Sequence, residues 1–86
     1  MQFEYDSKKS IANKVKHGID FDEAQRLWLD ERLIEAPVRT QDEPRFLALG
    51  RIESKHWSAI FTRRGDKIRL ISVRRSRQEE IEHYES

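Results

Sequence analysis

The chain has 86 residues, enough for one domain around a single core and too few for two independently folded units. Apolar residues supply 36% and charged residues 38%, lean for a soluble domain but too rich in Leu, Ile, Phe and Trp for a disordered tail, and a net charge of +1 gives no overall pull on a polyanion. The absence of cysteine excludes disulfides, a thiolate nucleophile and zinc-thiolate sites; with no signal-like apolar segment and no run near the roughly 18 residues of a membrane span, a soluble cytoplasmic protein is expected.

Phe3 and Tyr5 alternate with Gln2 and Glu4, the period of a short strand with one buried face. Asp6 or Ser7 can then cap a helix over roughly Lys8 to His17, which Gly18 ends in a left-handed conformation. Its apolar positions Ile11, Ala12 and Val15 share one stripe and are expected to pack, leaving Lys9, Asn13, Lys16 and His17 as an opposite cationic face. Asp20 and Glu23 form a D-x-x-E capping box before a second helix carrying Phe21, Ala24, Leu27 and Trp28, which runs to about Leu29. From there the pattern turns to strands, expected at Leu33 to Ala36, Arg45 to Ile52, His56 to Thr62 and Lys67 to Arg74. Glu53-Ser54-Lys55 and Arg64-Gly65-Asp66 are tight connections, so these strands should be antiparallel neighbours. Ser76 and Glu79 read as an S-x-x-E box before a short closing helix with Ile81 and Tyr84. The fold class is therefore α+β, a single domain with an antiparallel sheet, two N-terminal helices and a short C-terminal helix.

The charges are sorted along the chain. Lys8, Lys9, Lys14 and Lys16 form a block without acids, and Asp20 to Glu35 holds six acids against Arg26 and Arg32. Arg63 to Arg77 carries seven bases against the single Asp66, and Glu79, Glu80, Glu82 and Glu85 follow. Local fields are thus far stronger than the net charge suggests.

With only three glycines there is no phosphate-cradling loop, and His17, His56 and His83 lack a paired metal-ligand spacing. What remains is cationic chemistry. Arg69 shares strand parity with Ile71, Val73 and Arg75, and Arg74 with Ile68, Leu70 and Ser72, so in an unbroken strand Arg74 and Arg75 point to opposite faces and only one of that pair could belong to a given site. A set of arginines suits RNA cleavage by the neighbouring 2′-hydroxyl, which needs no metal but needs a base, an acid and donors to the charged phosphorane. Proton transfer could fall to His17, Glu79 or Tyr84, each with a plainer role: His17 at a helix C-terminus, Glu79 as a capping residue, Tyr84 in packing. Trp57 and Phe61 share one strand face, where they could stack bases or fill the core. A non-catalytic module binding nucleic acid or an acidic partner through the same basic surface is the alternative.

Phe3-Glu4-Tyr5-Asp6 with Lys9, Asn13 and Lys16-His17-Gly18 resembles the F-x-[WY]-D-x-x-K-x-x-x-N-x-x-K-H-G signature of the BrnT family of bacterial type II toxins. Arg45-Phe46 with Leu49-Gly50 is similar to the family's R-[FY]-x-x-[LI]-G segment, and Phe61-Thr62 through Ile68-Arg69-Leu70-Ile71-Ser72 with Arg74 to its [FY]-T…[IV]-R-[IL]-I-S-A-R stretch. Glu79 and Tyr84 match its closing E and Y positions, while Val73 stands where alanine is usual and Pro44 where an acid is common. The resemblance implies a RelE-like ribonuclease toxin that needs no cofactor and blocks translation by cutting RNA. It further implies a ribbon-helix-helix antitoxin of the BrnA type, operator DNA bound through that antitoxin, RNA that includes ribosome-associated message, and room for a homodimer. The coincidence of basic faces with these signature positions places the expected site between the first helix and the last strand, with His17, Arg69, Arg74, Glu79 and Tyr84 as catalytic candidates. Lys9, Asn13, Lys16, Arg64 and Arg75 are the expected RNA-binding residues.

Overall fold

A computed structural model describes residues 1–86. The elements are β1 (Gln2–Glu4), α1 (Ser7–His17), α2 (Phe21–Ala24) running into a 3-10 turn (Gln25–Leu29), β2 (Ile34–Val38), β3 (Arg45–Ile52), β4 (Lys55–Arg64), β5 (Lys67–Arg75) and α3 (Gln78–Glu85). The five strands form one sheet in the order β1-β5-β4-β3-β2. β2 to β5 are an antiparallel meander, as expected, but β1 lies parallel to β5, so the sheet is mixed rather than wholly antiparallel. The chain leaves β1 through the helices and returns to its side only at β5, a crossover that a parallel pair requires.

Local signals set the helix ends. The Asp6 carboxylate accepts the Lys8 N–H at 2.8 Å, and Gly18 closes α1 at φ 84°. Asp20 and Glu23 form the reciprocal box, after which the expected second helix tightens to 3-10 geometry from Gln25 onward.

The first helical layer packs on one sheet face. Phe21, Ala24 and Leu27 meet Ala48, Trp57, Ala59, Phe61, Ile68, Leu70 and Val73 in one core. Phe61 anchors it, stacked on Phe46 and edge-on to Trp28. Trp57 and Phe61 are therefore core residues rather than a base-stacking surface.

The expected packing face of α1 is reversed. Ile11 and Val15 are 67% and 85% exposed, whereas Ser10 and Asn13 are buried. The cause is where the helix lies. β1 pairs only with Lys67 to Arg69, which leaves the edge of β5 open beyond that point, and α1 takes its place. Inward-facing residues there meet main-chain polar groups that need partners, not apolar side chains. The Asn13 amide donates to Val73 O at 2.9 Å and to Ile19 O at 2.8 Å and accepts the Val73 N–H at 3.2 Å, while Ser10 Oγ accepts the Phe21 N–H. One asparagine thus acts as a short stretch of neighbouring strand.

Gly50 on β3 lies beneath the 3-10 turn, where an added Cβ would stand 2.8 Å from Leu33 Cδ1 and 3.0 Å from Leu27 Cδ2. No helix in the structure is long and apolar enough to cross a membrane.

Asn13→Ala should cost about 2 to 3 kcal/mol, since it leaves a strand N–H and two carbonyls buried without partners, and Gly50→Ala about 1 to 3 kcal/mol through overpacking. Urea denaturation of the two variants against the parent checks both, and Val15→Ala should change stability by under about 0.5 kcal/mol.

Candidate functional site

The opposite face of the sheet is only partly covered. Its side chains fall in rows set by the register: Val38, Arg45, Thr62 and Arg69; then Ala36, Leu47, Ile60 and Ser72; then Ile34, Leu49, Ser58 and Arg74. α3 crosses the last row and leaves the middle one half-buried, as an apolar floor with arginines on both sides.

Arg69 and Arg74 reach this common face because β5 bulges. Ile60 pairs with Ser72 and Phe61 with Leu70, which leaves Ile71 without a partner and resets the alternation. The core residues Leu70 and Val73 thereby share one face, and Arg69 and Arg74 share the other. The unbroken parity expected from the sequence, which separates the two arginines, is corrected by that extra residue.

Each arginine has an acid. Arg69 bonds Glu4 at 3.0 Å from the neighbouring β1. Arg74 makes a bidentate pair with Glu80, both bonds 2.8 Å, and donates also to Arg75 O. The Glu80 carboxylate further accepts the Arg77 N–H at 2.8 Å and the Ser58 hydroxyl at 3.0 Å. The Arg74 guanidinium leads in holding Glu80 down at about 2, against the burial that would raise it, and Arg74 is itself held above its ordinary value by the same bond.

The other expected site residues divide. Lys14 points to α2, where it pairs with Glu23 at 2.8 Å. At about 100° per residue, Lys9 and Lys16 lie about 40° and 60° to the other side of Asn13, toward the arginine face. Arg64 also belongs to that face, 3.6 Å from Glu43. Glu79, exposed in the first turn of α3, is near enough to act on the Arg74 charge. His17 is half-buried at the end of α1 on the Lys14 side of Asn13. Two RNA-binding expectations are corrected. Asn13 is buried with its amide spent on main chain, and Arg75 turns to the helical face, its guanidinium 5.4 Å from the Trp57 ring centre.

Tyr84 is also set apart. Its hydroxyl donates to Asp30 Oδ2 at 2.5 Å, and burial first, then that carboxylate, push the phenol up to about 12. Asp30 also accepts the Arg32 and Arg51 N–H groups, at 2.9 and 2.8 Å. These bonds hold its carboxyl below the usual range although burial acts the other way. Tyr84 lines a cleft of about 370 Å³ between the 3-10 turn, the end of β3 and α3.

The sequence reading missed Glu80, Ser58 and Asp30. The expected S-x-x-E box lies one residue too early, for it is Glu80 that reaches back to the main chain of Arg77, and Ser76 instead bonds the Ser58 hydroxyl. Arg74 itself was the available signal, since a half-buried guanidinium needs an acid and the run after it holds several.

Because the folded value of Glu80 lies below its ordinary 4.5, its contribution is whole above about pH 4.5 and is lost as pH falls toward 2. The difference in unfolding free energy between parent and Glu80→Gln should therefore shrink by about 2 to 3 kcal/mol from pH 5 to pH 2.5, measured by urea melts.

No curated protein matches the sequence at a significant level. A family model does, over residues 5–80, and its description is "Ribonuclease toxin, BrnT, of type II toxin-antitoxin system". The match takes in α1 with its clamp on β5, the whole sheet beyond β1, and the Arg74–Glu80 pair. The chain belongs to the BrnT family of ribonuclease toxins.

Proposed function

We propose that the arginine face of the sheet grips a scissile RNA phosphate and that cleavage proceeds by attack of the adjacent 2′-hydroxyl, without a metal ion. One observation carries this reading: the bulge at Ile71 sets Arg69 and Arg74 on the same surface, on either side of the floor made by Leu47, Ile60 and Ser72. Lys9 and Lys16 border that surface from α1, and Arg64 extends it.

In the proposed reaction the 2′-oxygen forms a bond to phosphorus as its proton passes to a base. The bond from phosphorus to the 5′-oxygen breaks as an acid protonates that oxygen, leaving a 2′,3′-cyclic phosphate and a 5′-hydroxyl. Arg69 and Arg74 donate to the non-bridging oxygens, whose charge grows in the transition state. Glu79 is assigned one proton transfer and water the other, since His17 lies on the Lys14 side of Asn13, away from the arginine face. Glu79 is the solvated carboxylate beside Arg74. Tyr84 supports the fold of this region through Asp30 rather than supplying a proton, because its phenol is both bonded and strongly raised. Substrate binding at Arg74 exchanges one anion for another, a phosphate for the Glu80 carboxylate, so the guanidinium is oriented in advance.

As a cytoplasmic toxin, the protein would cut message, free or on the ribosome, and so stop translation. A BrnA-type antitoxin would neutralise it and carry the pair to operator DNA.

The test is cleavage of purified RNA in EDTA and of message in a translation extract, with parent, Arg69→Ala, Arg74→Ala and His17→Ala. Loss of either arginine should slow cutting by about a hundredfold, the scale seen when one transition-state donor is removed. Full activity in both arginine variants would remove this face from the reaction. Binding of RNA that falls steeply with salt, with no product in any substrate, would instead establish a non-catalytic module.

A further inference from the structure

The cleft at the far end of α3 is a second cationic site, unconnected with the residues assigned to scission. Three guanidiniums, Arg26, Arg32 and Arg51, line it against two carboxylates, Asp30 and Glu53, with Leu29 and Tyr84 at its edge. Its volume of about 370 Å³ falls in the range of small-ligand sites, roughly 300–1,000 Å³.

The pairing of these arginines is looser than that of Arg63, Arg69 and Arg74 and resembles that of Arg64, 3.6 Å from Glu43. Arg63, Arg69 and Arg74 hold their carboxylates at 2.6, 3.0 and 2.8 Å. In the cleft, Arg26 stands 3.5 Å from the exposed Glu53 and Arg51 4.0 Å from Glu85, while Arg32 makes no ion pair. Asp30 adds its charge to the cleft but directs its hydrogen bonds to the main-chain N–H groups of Arg32 and Arg51 and to the Tyr84 hydroxyl rather than to a guanidinium. That carboxylate holds the loop, β3 and α3 together; Arg51 spends its Nε–H on Glu53 O at 3.2 Å, and the remaining guanidinium donors of the three arginines are only loosely engaged. Beside them Leu29 is 80% exposed, an apolar edge in an otherwise charged surface.

Guanidiniums with donors to spare beside an apolar ledge suit a nucleotide, which needs forks for its phosphate and a flat or apolar surface for its base. α3 links this cleft to the arginine face. Glu80 in its first turn holds Arg74, and Tyr84, one turn or about 6 Å further along the axis, lies in the cleft. We propose that the cleft binds a flanking nucleotide of single-stranded RNA, its phosphate on Arg32 and Arg51 and its base against Leu29. The proposal rests on the RNA-cutting reading and adds to it a subsite away from the cut. Tyr84 is a positioning residue there, acting through Asp30. An acidic peptide is the other polyanion such forks could take, and the experiment below separates the two.

The probe is a 2′-O-methyl oligoribonucleotide, which lacks the attacking hydroxyl and so reports binding apart from cutting. Its affinity is measured by fluorescence anisotropy over a salt series. Arg32→Ala with Arg51→Ala, both at exposed side chains, should weaken binding about tenfold and reduce the salt slope by about 0.7 for each phosphate that is no longer neutralised. Leu29→Ser should weaken binding without altering that slope. Amide shifts at Leu29, Arg32 and Arg51 on adding adenosine 5′-monophosphate would place the nucleotide in the cleft. Parent-like affinity and slope in the double arginine variant overturn the proposal, as does a glutamate-rich peptide that shifts these amides when the nucleotide does not. If parent protein cuts no RNA in a translation extract yet binds the probe through these residues, the subsite stands and the scission reading falls.

Discussion

A single unpaired residue, Ile71, decides what the two faces of the sheet carry. Without it, Arg69 and Arg74 would point to opposite sides, and Leu70 and Val73 could not both reach the core. A bulge forfeits ladder bonds and sharpens the local twist, so it persists only where the surroundings hold it. Here the hold comes two residues later, where the Asn13 amide takes both main-chain groups of Val73. The same contact fixes the rotation of α1 about its axis, which sends Lys14 to Glu23 and leaves Lys9 and Lys16 on the arginine side. Core packing and the charge of the exposed face are thus two results of one backbone irregularity and the side chain beside it.

Electrostatics in this chain is a matter of pairing rather than of sum. A net charge of +1 spread evenly would attract nothing, yet the sorted blocks fold so that the last acidic run lies over the last basic one. Glu80 reaches Arg74 and Glu85 reaches His56, each across α3, so the helix is held to the sheet by its charged face while Tyr84 supplies its buried contact. The Arg74–Glu80 pair is half-buried, where removing one partner costs more than the pair yields in net stability. Such an arrangement sets geometry more than it adds stability. A guanidinium held by a bidentate carboxylate is already in the plane and orientation that two oxygens of a phosphate require.

What the sequence revealed was whatever depends on neighbours in the chain. Asp6, Asp20 and Gly18 act within a few residues, so both helix starts and the end of α1 were legible, and the hairpins followed from Gly65 and the short Glu53 to Lys55 link. The strands were found to within two or three residues for the same reason. The inward face of α1 was not legible because amphipathic reasoning assumes an apolar floor, and this helix meets a strand edge. Nor was the bulge, which exists only relative to the register of β4. Asp30 was hidden more deeply, since its three donors come from Arg32, Arg51 and Tyr84, far apart in sequence. Arg69, Arg74 and Tyr84 all stood among the catalytic candidates, and the fold ties the tyrosine to Asp30 rather than to either arginine.

That separation has a structural logic. RNA is long compared with a domain whose largest extent is 31 Å, so a strand held at one phosphate must run on across the surface. α3 lies across that surface with its first turn on Arg74 and its last on Asp30, and both ends are fixed by short, charged or buried contacts. Two cationic sites joined by one rigid helix keep a constant spacing, which loops could not guarantee. In the site with tight ion pairs the guanidiniums are oriented in advance, and in the loosely paired cleft they remain free to adapt. The first property suits a reacting phosphate, whose passage from tetrahedral to trigonal-bipyramidal geometry must be met closely. The second suits a neighbouring nucleotide, where several bases have to be accepted at the same place.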